Sequence, residues 1–213
     1  MVVQGDHRKK LGTTAYAVLG LLALRDWTTY ELAQQMDRGI GRMWAASPST
    51  VYEDPKHLVA HGFARVQEEK VGLRPRSRYS ITPAGRRALA AWLAEAPAPP
   101  MLQFEGLLKV LFADQGNAGT NVAILDQVEK WANGARIASR ERADAYLAGD
   151  YIAGLDLDDR ALIVAQTLGF LNDFYDLVER WAAWSAEMIK GEDAHGTAHA
   201  VFTAIARGRR VIR

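Results

Sequence analysis

A proline-rich segment divides the chain. Residues 95–100 read Glu-Ala-Pro-Ala-Pro-Pro, a composition that cannot continue a helix and favours extended backbone. The two sides differ in charge, because residues 1–95 hold 14 lysines and arginines against 9 acidic residues, whereas residues 96–213 hold 12 against 16. The chain therefore has a net charge of +5 before the break and −4 after it. We expect a basic N-terminal domain, residues 1–95, and an acidic C-terminal domain, residues 96–213.

Composition excludes several classes of protein. The 213 residues are 49% hydrophobic and 24% charged, which is typical of a globular chain and leaves ample room for a core. The absence of cysteine excludes a disulfide scaffold, a cysteine nucleophile and a thiolate metal site. No apolar run reaches the roughly 20 residues that span a bilayer, and Met1–Lys10 is polar. We expect a soluble, cytoplasmic protein with no membrane partner.

The basic domain carries repeated signals for helix starts. A hydroxyl residue stands at each expected N-cap, where it can accept from an unpaired amide of the first turn: Thr14, Thr28, Ser47 and Thr82. Glu31 follows Thr28 at the spacing of a capping box. Proline follows both Ser47 and Thr82, and it suits the first helical position because its missing amide would be unpaired there. Gly62 is the expected left-handed residue after the third of these helices.

Pro55 interrupts the third predicted helix. A proline inside a helix removes a hydrogen bond and clashes with the preceding turn, at a cost of about 3 kcal/mol. Either the helix kinks at Pro55, or Asp54 caps a fresh segment that starts there. Both alternatives separate residues 47–53 from residues 56–61.

A hairpin is expected after these helices. Residues 63–68 alternate in the manner of a strand, residues 78–81 form a second short strand, and the cationic residues 70–77 are predicted to be the loop between them. Three helices followed by a hairpin make a winged helix-turn-helix. We expect a mostly α fold with a small β-hairpin wing, followed by a helical C-terminal dimerisation domain.

This architecture predicts contacts with double-stranded DNA. The third helix would present short polar side chains to base edges and its N-terminal amides to a phosphate, while arginines at the hairpin would reach the backbone or the minor groove. The alternative for each arginine, taken alone, is a position in a solvent-exposed loop. The expected DNA-binding residues are Ser47, Ser49, Thr50, Tyr52, Lys56, His57, Arg74, Arg76 and Arg78.

Several segments of the first 95 residues resemble the PadR family of transcriptional regulators. They begin with Tyr16-Ala-Val-Leu-Gly-Leu-Leu and Thr29-Tyr-Glu-Leu, continue with Ser47-Pro-Ser-Thr-Val-Tyr, Lys56-His-Leu and Gly62, and end with Arg78-Tyr-Ser-Ile-Thr-Pro-Ala-Gly. The resemblance implies a dimeric winged-helix repressor with a helical C-terminal dimerisation domain, often responding to phenolic or other aromatic small molecules. Pro55 departs from the family pattern, which has an ordinary helix former there.

The acidic domain is predicted to be helical. A short apolar helix around Phe104–Phe112 precedes one from about Asn121 to Ala148 and one from Asp158, as N-cap, to Lys190. The last helix has two apolar seams at alternating spacings of three and four. We assign the first to the homodimer interface: Val164, Leu168, Leu171, Tyr175, Val178 and Ala182. The second seam comprises Phe170, Phe174, Leu177, Trp181, Trp184 and Met188. The alternative is a monomeric three-helix bundle covered on both sides.

Aromatic residues are candidates for an effector pocket between domains or subunits. Aromatic walls suit flat apolar ligands, although each of these side chains can equally be a core residue. The candidate ligand-binding residues are Tyr16, Trp92, Phe104, Trp131 and Phe174.

The function that the sequence predicts is regulation of transcription at a palindromic operator. No phosphate-binding glycine loop or Gly-x-Ser-x-Gly elbow is present, and His195 and His199 have no third ligand nearby in sequence. We therefore expect no enzymatic activity, no cofactor and no bound metal. Two alternatives stay open: an aromatic small-molecule binding protein that does not bind DNA, and an enzyme on a helical scaffold.

Overall fold

The structure is a computed structural model, and it describes residues 11–44, 47–71, 74–117, 119–149, 160–191 and 193–212. The side chains of Pro48, Lys70, Val71 and Arg74 lie outside this description. Contacts within the chain divide it into two compact units, Met1–Pro99 and Pro100–Arg213. The proline-rich segment at residues 95–100 therefore coincides with the boundary between the units.

The N-terminal unit consists of four α-helices and a three-stranded antiparallel sheet. In chain order the elements are α1 (Thr13–Leu24), β1 (Trp27–Thr28), α2 (Thr29–Arg38), a 3-10 turn (Ile40–Arg42), α3 (Pro48–Ala60), β2 (Ala64–Val71), β3 (Arg74–Ile81) and α4 (Pro83–Leu93). The strand order is β1-β3-β2. This is the arrangement of a winged helix-turn-helix, with β2 and β3 as the wing, and it confirms the expected fold class.

Three of the four predicted caps are present. Thr28 and Glu31 form a complete capping box on α2, the Ser47 side chain accepts from the Thr50 amide, and Thr82 accepts from the Gly85 amide. Gly62 has a φ of 73° after α3, the left-handed conformation that glycine adopts without steric cost. Local side-chain chemistry therefore sets where these helices begin and end.

The predicted cap at Thr14 is wrong. Helix α1 begins at Thr13 with Gly12 as N-cap, and no side chain caps it. Thr14 lies in the first turn, where its hydroxyl instead accepts a hydrogen bond from the indole nitrogen of Trp44 at 3.0 Å. The hydroxyl thus ties α1 to the segment that follows the 3-10 turn.

Helix α3 runs through Pro55, so Asp54 does not cap a fresh segment there. The helix runs from Pro48 to Ala60, although Pro55 cannot donate to the Val51 carbonyl four residues earlier. The Pro55 side chain is fully buried, and Leu58 lies on the same inner face of α3 with no exposure. Burial of this face against α1, α2 and β2 offsets the lost hydrogen bond, because tertiary packing contributes most of the stability of a helix in a protein.

The core of the N-terminal unit joins the helices to the sheet. Its fully buried members are Val18, Leu19, Leu22, Trp27, Leu32 and Leu58. The indole nitrogen of Trp27 donates to the Leu21 carbonyl at 2.7 Å, so its polar atom is paired. The Arg25 guanidinium lies 3.6 Å from the centre of the Trp27 ring, a cation–π arrangement. Trp27 also starts β1 and pairs with Tyr79 of β3, so this residue fixes the sheet to α1.

The C-terminal unit is helical. Its elements are α5 (Glu105–Leu111), a 3-10 turn (Ala113–Gln115), α6 (Thr120–Leu147), α7 (Ala161–Lys190) and α8 (Ala194–Ala206). The predicted helices are present within one or two residues where the structure describes them. The expected N-cap of α7, Asp158, lies outside the described residues.

Helices α6 and α7 form the core of the C-terminal unit. Leu125, Val128 and Ala132 of α6 pack with Val178 and Ala182 of α7. At the edge of this contact Arg136 of α6 forms ion pairs with Asp176 and Glu179 of α7. The pair of helices is thereby held by an apolar centre and a charged margin.

The assignment of the first seam of α7 to the dimer interface is wrong for most of that seam. Leu171, Tyr175, Val178 and Ala182 are buried within a single chain, so they are core residues and are not available to a second subunit. The second seam is exposed at Phe170 (72%) and Leu177 (43%). Its members Phe174 and Trp181 are half-buried and pack against the core. Both seams have the same spacing, and the sequence pattern alone does not distinguish which one meets α6.

Thr82 links α3 to α4, and its loss is expected to destabilise the N-terminal unit. Besides capping α4, its hydroxyl donates to the Gly62 carbonyl at 2.7 Å. Thr82→Ala removes the cap and leaves that carbonyl unpaired, so we expect a loss of about 2 kcal/mol in the free energy of unfolding. Urea denaturation followed by circular dichroism measures it. Thr82→Ser keeps the hydroxyl and should retain most of the stability; equal losses in both variants would contradict this role.

Asp54 is a buried carboxyl group that predicts a pH dependence of stability. It lies on the inner face of α3, 9% exposed, and its Oδ2 has no hydrogen-bond partner among the described residues. Burial raises the pKa of Asp54, and the opposing attraction of His57 is weaker. Because the folded state then binds this proton more tightly than the unfolded state, stability falls as pH rises from the unfolded pKa through the raised folded one.

Asp54→Asn therefore should stabilise the protein at pH 7, and the gain should disappear near pH 4, where the native carboxyl is protonated. Denaturation midpoints at the two pH values measure this difference. Glu53→Gln is the matched control. The hydrogen bond and charge of Lys56 lower the pKa of the exposed Glu53, so the pKa shift of Glu53 is opposite in direction to that of Asp54. A gain for Asp54→Asn that is the same at both pH values would contradict the assignment.

Candidate nucleic-acid interface

Helix α3 has one buried face and one exposed face. Val51, Asp54, Pro55 and Leu58 are buried, and between them lie the predicted contact residues on the outer side of the helix. Ser47, Ser49 and Tyr52 are exposed, and Thr50 is half-buried. Since the inner face is fixed by the core, the outer face is held in a defined orientation toward solvent. The predicted base-reading residues are therefore brought together on one surface.

The hydroxyl groups at the start of α3 form a local cluster. Ser47 Oγ accepts from the Thr50 amide at 3.2 Å and lies 2.9 Å from Ser49 Oγ and 2.6 Å from Thr50 Oγ1. Each hydroxyl has one donor hydrogen and two acceptor lone pairs, so the cluster can exchange an internal hydrogen bond for one to a base edge or a phosphate. The helix dipole places partial positive charge at the same end, which favours an anionic oxygen there.

Lys56 and His57 lie further along the exposed side of α3. Lys56 Nζ lies 2.6 Å from Glu53 Oε1, and this hydrogen bond raises the pKa of Lys56. Both side chains are more than half exposed, and an exposed ion pair of this kind contributes little to stability. Lys56 can therefore leave Glu53 for a phosphate at low cost. The His57 side chain is exposed, and its carbonyl lies 2.7 Å from His61 Nδ1.

The wing differs from its predicted form. Residues 70–77 were expected to be a loop, but β2 extends to Val71 and β3 begins at Arg74. The register pairs Glu69 with Arg76 and Gln67 with Arg78. The predicted arginines therefore belong to a strand. Residues 74–78 alternate arginine with other residues, a pattern that is compatible with a strand. Pro75 lies within β3.

The wing arginines are paired with carboxylates. Glu69 accepts from Arg76 Nε at 3.0 Å and from Arg78 Nε at 2.6 Å, and Arg78 also lies 3.9 Å from Glu31. Arg78 is 23% exposed and Arg76 is 45% exposed. Hydrogen bonds from Arg78 and then Arg76 hold the pKa of Glu69 below its usual value. Arg76 is thus the more accessible of the two, and Arg74 lies outside the described side chains.

Glu31 connects the wing to the capping box of α2. Partial burial by itself would raise its pKa, but hydrogen bonds from the Thr28 amide and hydroxyl, together with the charge of Arg25, hold the pKa of Glu31 below its usual value. The same carboxylate faces Arg78 across the sheet. The sequence motif revealed the cap but missed this second role, because Glu31 and Arg78 are 47 positions apart and only the β1–β3 pairing brings them together.

The candidate ligand-binding aromatics are divided between the two units. In the N-terminal unit Tyr16 stacks on Trp92 with ring centres 4.9 Å apart. In the C-terminal unit Phe104 packs edge-on against Trp181, while Trp131 and Phe174 both contact Tyr175. An open groove of about 740 Å³ in the C-terminal unit is bordered by α5 and α6. None of the five candidates lines this groove; its apolar walls are Leu108, Phe112 and Ile124.

Metal-binding clusters and membrane-spanning helices are both absent from the described part of the chain. No cluster of three or more histidine, aspartate or glutamate side chains there could hold a metal ion. Among the same residues, no helix combines the length and the apolar character needed to cross a bilayer.

Comparison with known proteins identifies a family domain in the N-terminal unit. Residues 18–91 match the Transcriptional regulator PadR-like family. The negative transcriptional regulator PadR of Bacillus subtilis is 29% identical over 99 residues, which are 46% of this chain and 54% of that protein. This match thus spans about half the length of the relative, and its length is that of one domain.

Solved structures match over most of the chain. Bacillus subtilis PadR in complex with operator DNA has a TM-score of 0.70 at 19% identity and covers 84% of this chain and 98% of that one. The same protein in complex with p-coumaric acid has a TM-score of 0.57, also at 19% identity, covering 84% and 96%. At this identity the structural matches establish the fold. The sequence match assigns residues 18–91 to the PadR-like family of transcriptional regulators, and the chain as a whole is similar in fold to the solved PadR structures.

Proposed function

We propose that this chain is a sequence-specific DNA-binding repressor that acts as a homodimer and responds to a small aromatic molecule. The observation that carries the proposal is the division of α3 into a buried inner face and an exposed polar outer face. A helix fixed in this way fits the major groove of DNA, where short polar side chains at its N-terminal end reach base edges. The operator complex of the related PadR supports the same use of this fold here.

The contacts divide into base reading and phosphate binding. Ser49, Thr50 and Tyr52 lie where base edges would meet the N-terminal half of α3, and Ser47 with the first amides of the helix would meet a phosphate. Lys56 and Arg76 are exposed cations on α3 and the wing. Phosphate contacts fix the position of the protein on DNA, while base contacts select the sequence.

A second copy of the chain is the proposed occupant of an exposed stripe on α7. Ile163, Phe170 and Leu177 recur at intervals of seven residues and are 53%, 72% and 43% exposed. Exposed apolar stripes of this kind mark interaction surfaces, and a heptad repeat favours a helix partner. A two-fold dimer presents two recognition helices to a palindromic operator.

A small aromatic molecule is the proposed effector. Stacked and edge-on aromatic pairs occur in both units, at Tyr16–Trp92 and Phe104–Trp181, and such rings suit flat apolar ligands. The complex of the related PadR with p-coumaric acid gives a first compound to test. We expect p-coumaric acid to release the chain from its selected duplex in the titrations described next.

Replacing a base-reading hydroxyl should reduce selectivity. We expect Thr50→Val to weaken binding to the best duplex selected from random DNA by about tenfold, because a lost base contact costs roughly 1–3 kcal/mol, with little change on a scrambled duplex. Thr13→Val, an equivalent change at the exposed start of α1, is the control. Fluorescence anisotropy measures both affinities. Equal weakening on both duplexes would show that Thr50 does not read bases, and no binding by the native chain would refute the proposed function.

A charge in the exposed stripe of α7 should prevent dimerisation. We expect Phe170→Glu to leave a particle with the 23.5 kDa mass of one chain, whereas the native protein should have twice this mass, because an unpaired carboxylate is costly to bury in an apolar interface. Light scattering coupled to size exclusion measures the mass. Ala165→Glu, at an exposed position on another side of α7, should remain dimeric. An unaltered mass for Phe170→Glu would contradict the interface.

A further inference from the structure

One carboxylate lies in the middle of the basic face of the wing. Alternate residues of a strand point to the same side of a sheet, and directly opposed residues share that side. Glu69 of β2 therefore shares a face with Arg65 of the same strand and with Arg76 and Arg78 of β3. Among the described side chains of this face, Glu69 is the acidic one, and it faces two of the three arginines.

The hydrogen bonds of Glu69 engage the cations that would meet DNA. Both of its carboxylate oxygens are used, one by Arg76 and one by Arg78. Arg78 is additionally drawn toward Glu31 and is mostly buried, so it serves the structure by fixing the wing to α2. Arg76 is the more exposed partner, and it reaches a phosphate either beside Glu69 or by leaving it.

We propose that Glu69 is an intramolecular counter-ion that lowers the affinity of the wing for DNA of any sequence. The inference rests on the proposed DNA-binding function. Binding to non-specific DNA depends almost entirely on cation–phosphate contacts. A carboxylate beside Arg76 weakens these contacts on every duplex, so the base contacts of α3 have to supply the affinity at an operator.

The charge balance of the whole chain agrees with this role. The region before the proline-rich segment has a net charge of +5, and the wing arginines make up part of it. Glu69 cancels a charge at the position where the wing would approach DNA. The effect of Glu69 on the affinity for DNA therefore depends on its position more than on the total charge of the chain.

The neighbouring Glu68 provides a matched control. It lies on the opposite side of β2, and its carboxylate accepts from the Ser77 hydroxyl at 2.7 Å. Glu68→Gln changes the net charge of the chain by the same amount as Glu69→Gln, one residue away and without releasing an arginine. A difference between the two variants therefore reports the arginine contacts of Glu69, and a general change of charge affects both.

The test compares the native chain, Glu69→Gln and Glu68→Gln on the duplex selected from random DNA and on a scrambled duplex. We expect Glu69→Gln to bind the scrambled duplex about fivefold more tightly than Glu68→Gln does. Its plot of log affinity against log salt should be steeper by about 1 for each wing. The affinity for the selected duplex should rise by a similar factor, because the contact that is released does not depend on sequence. Thermal unfolding by circular dichroism establishes that the variants are folded.

A second variant connects the effect to Arg76. If Glu69 acts by restraining this guanidinium, the gain of Glu69→Gln should be lost when Arg76→Gln is added, and the salt slope should return to that of the native chain. Equal behaviour of Glu69→Gln and Glu68→Gln, or weaker binding by a folded Glu69→Gln, would overturn the proposal. Failure of the native chain to bind any duplex would instead refute the proposed function.

Discussion

Burial of the inner face of α3 is the constraint on which the rest of the N-terminal unit depends. Leu58 and Pro55 are fully buried, and Val51 is 6% exposed, so rotation of α3 about its axis would expose apolar side chains to water. Full burial of one such side chain contributes roughly 1.5–3 kcal/mol. This contribution to the free energy of folding exceeds that of any single polar contact on the outer face. Burial of the apolar side chains therefore decides which residues of α3 face solvent.

The wing illustrates a second constraint, the coupling between stability and charge. Glu31 completes the capping box of α2 and also faces Arg78, which is bonded to Glu69. One chain of ion pairs thus extends from the start of α2 to the middle of the wing. Partly buried carboxylates require such partners, since an isolated charge out of water is costly. The same contacts leave less positive charge available to a phosphate, so under the proposed function a wing anchored in this way would bind DNA less strongly than its arginine count suggests.

The elements that the sequence predicts well are those determined by local chemistry. The capping box at Thr28, the cap at Thr82 and the left-handed Gly62 each depend on residues within a few positions, and all three are present. The predicted fresh segment at Pro55 is absent, because tertiary burial outweighs the local penalty of proline and α3 runs through it. The α7 seam was misassigned because two stripes have the same period, and only the position of α6 determines which stripe becomes core.

The candidate site shows the same division between local and long-range information. The outer residues of α3 follow from helical periodicity, but the partners of the wing arginines follow from strand register. Because Val71 pairs with Arg74, the opposed residues on the wing are fixed, and Glu69 has to lie across from Arg76. The sequence contained both residues, yet the expected loop at 70–77 placed no carboxylate opposite any arginine. A net charge counts residues without regard to such pairing, so the figure of +5 does not say which cations of the basic region are free to meet DNA. Discrimination then has to come from the polar outer face of α3, which the core holds in place.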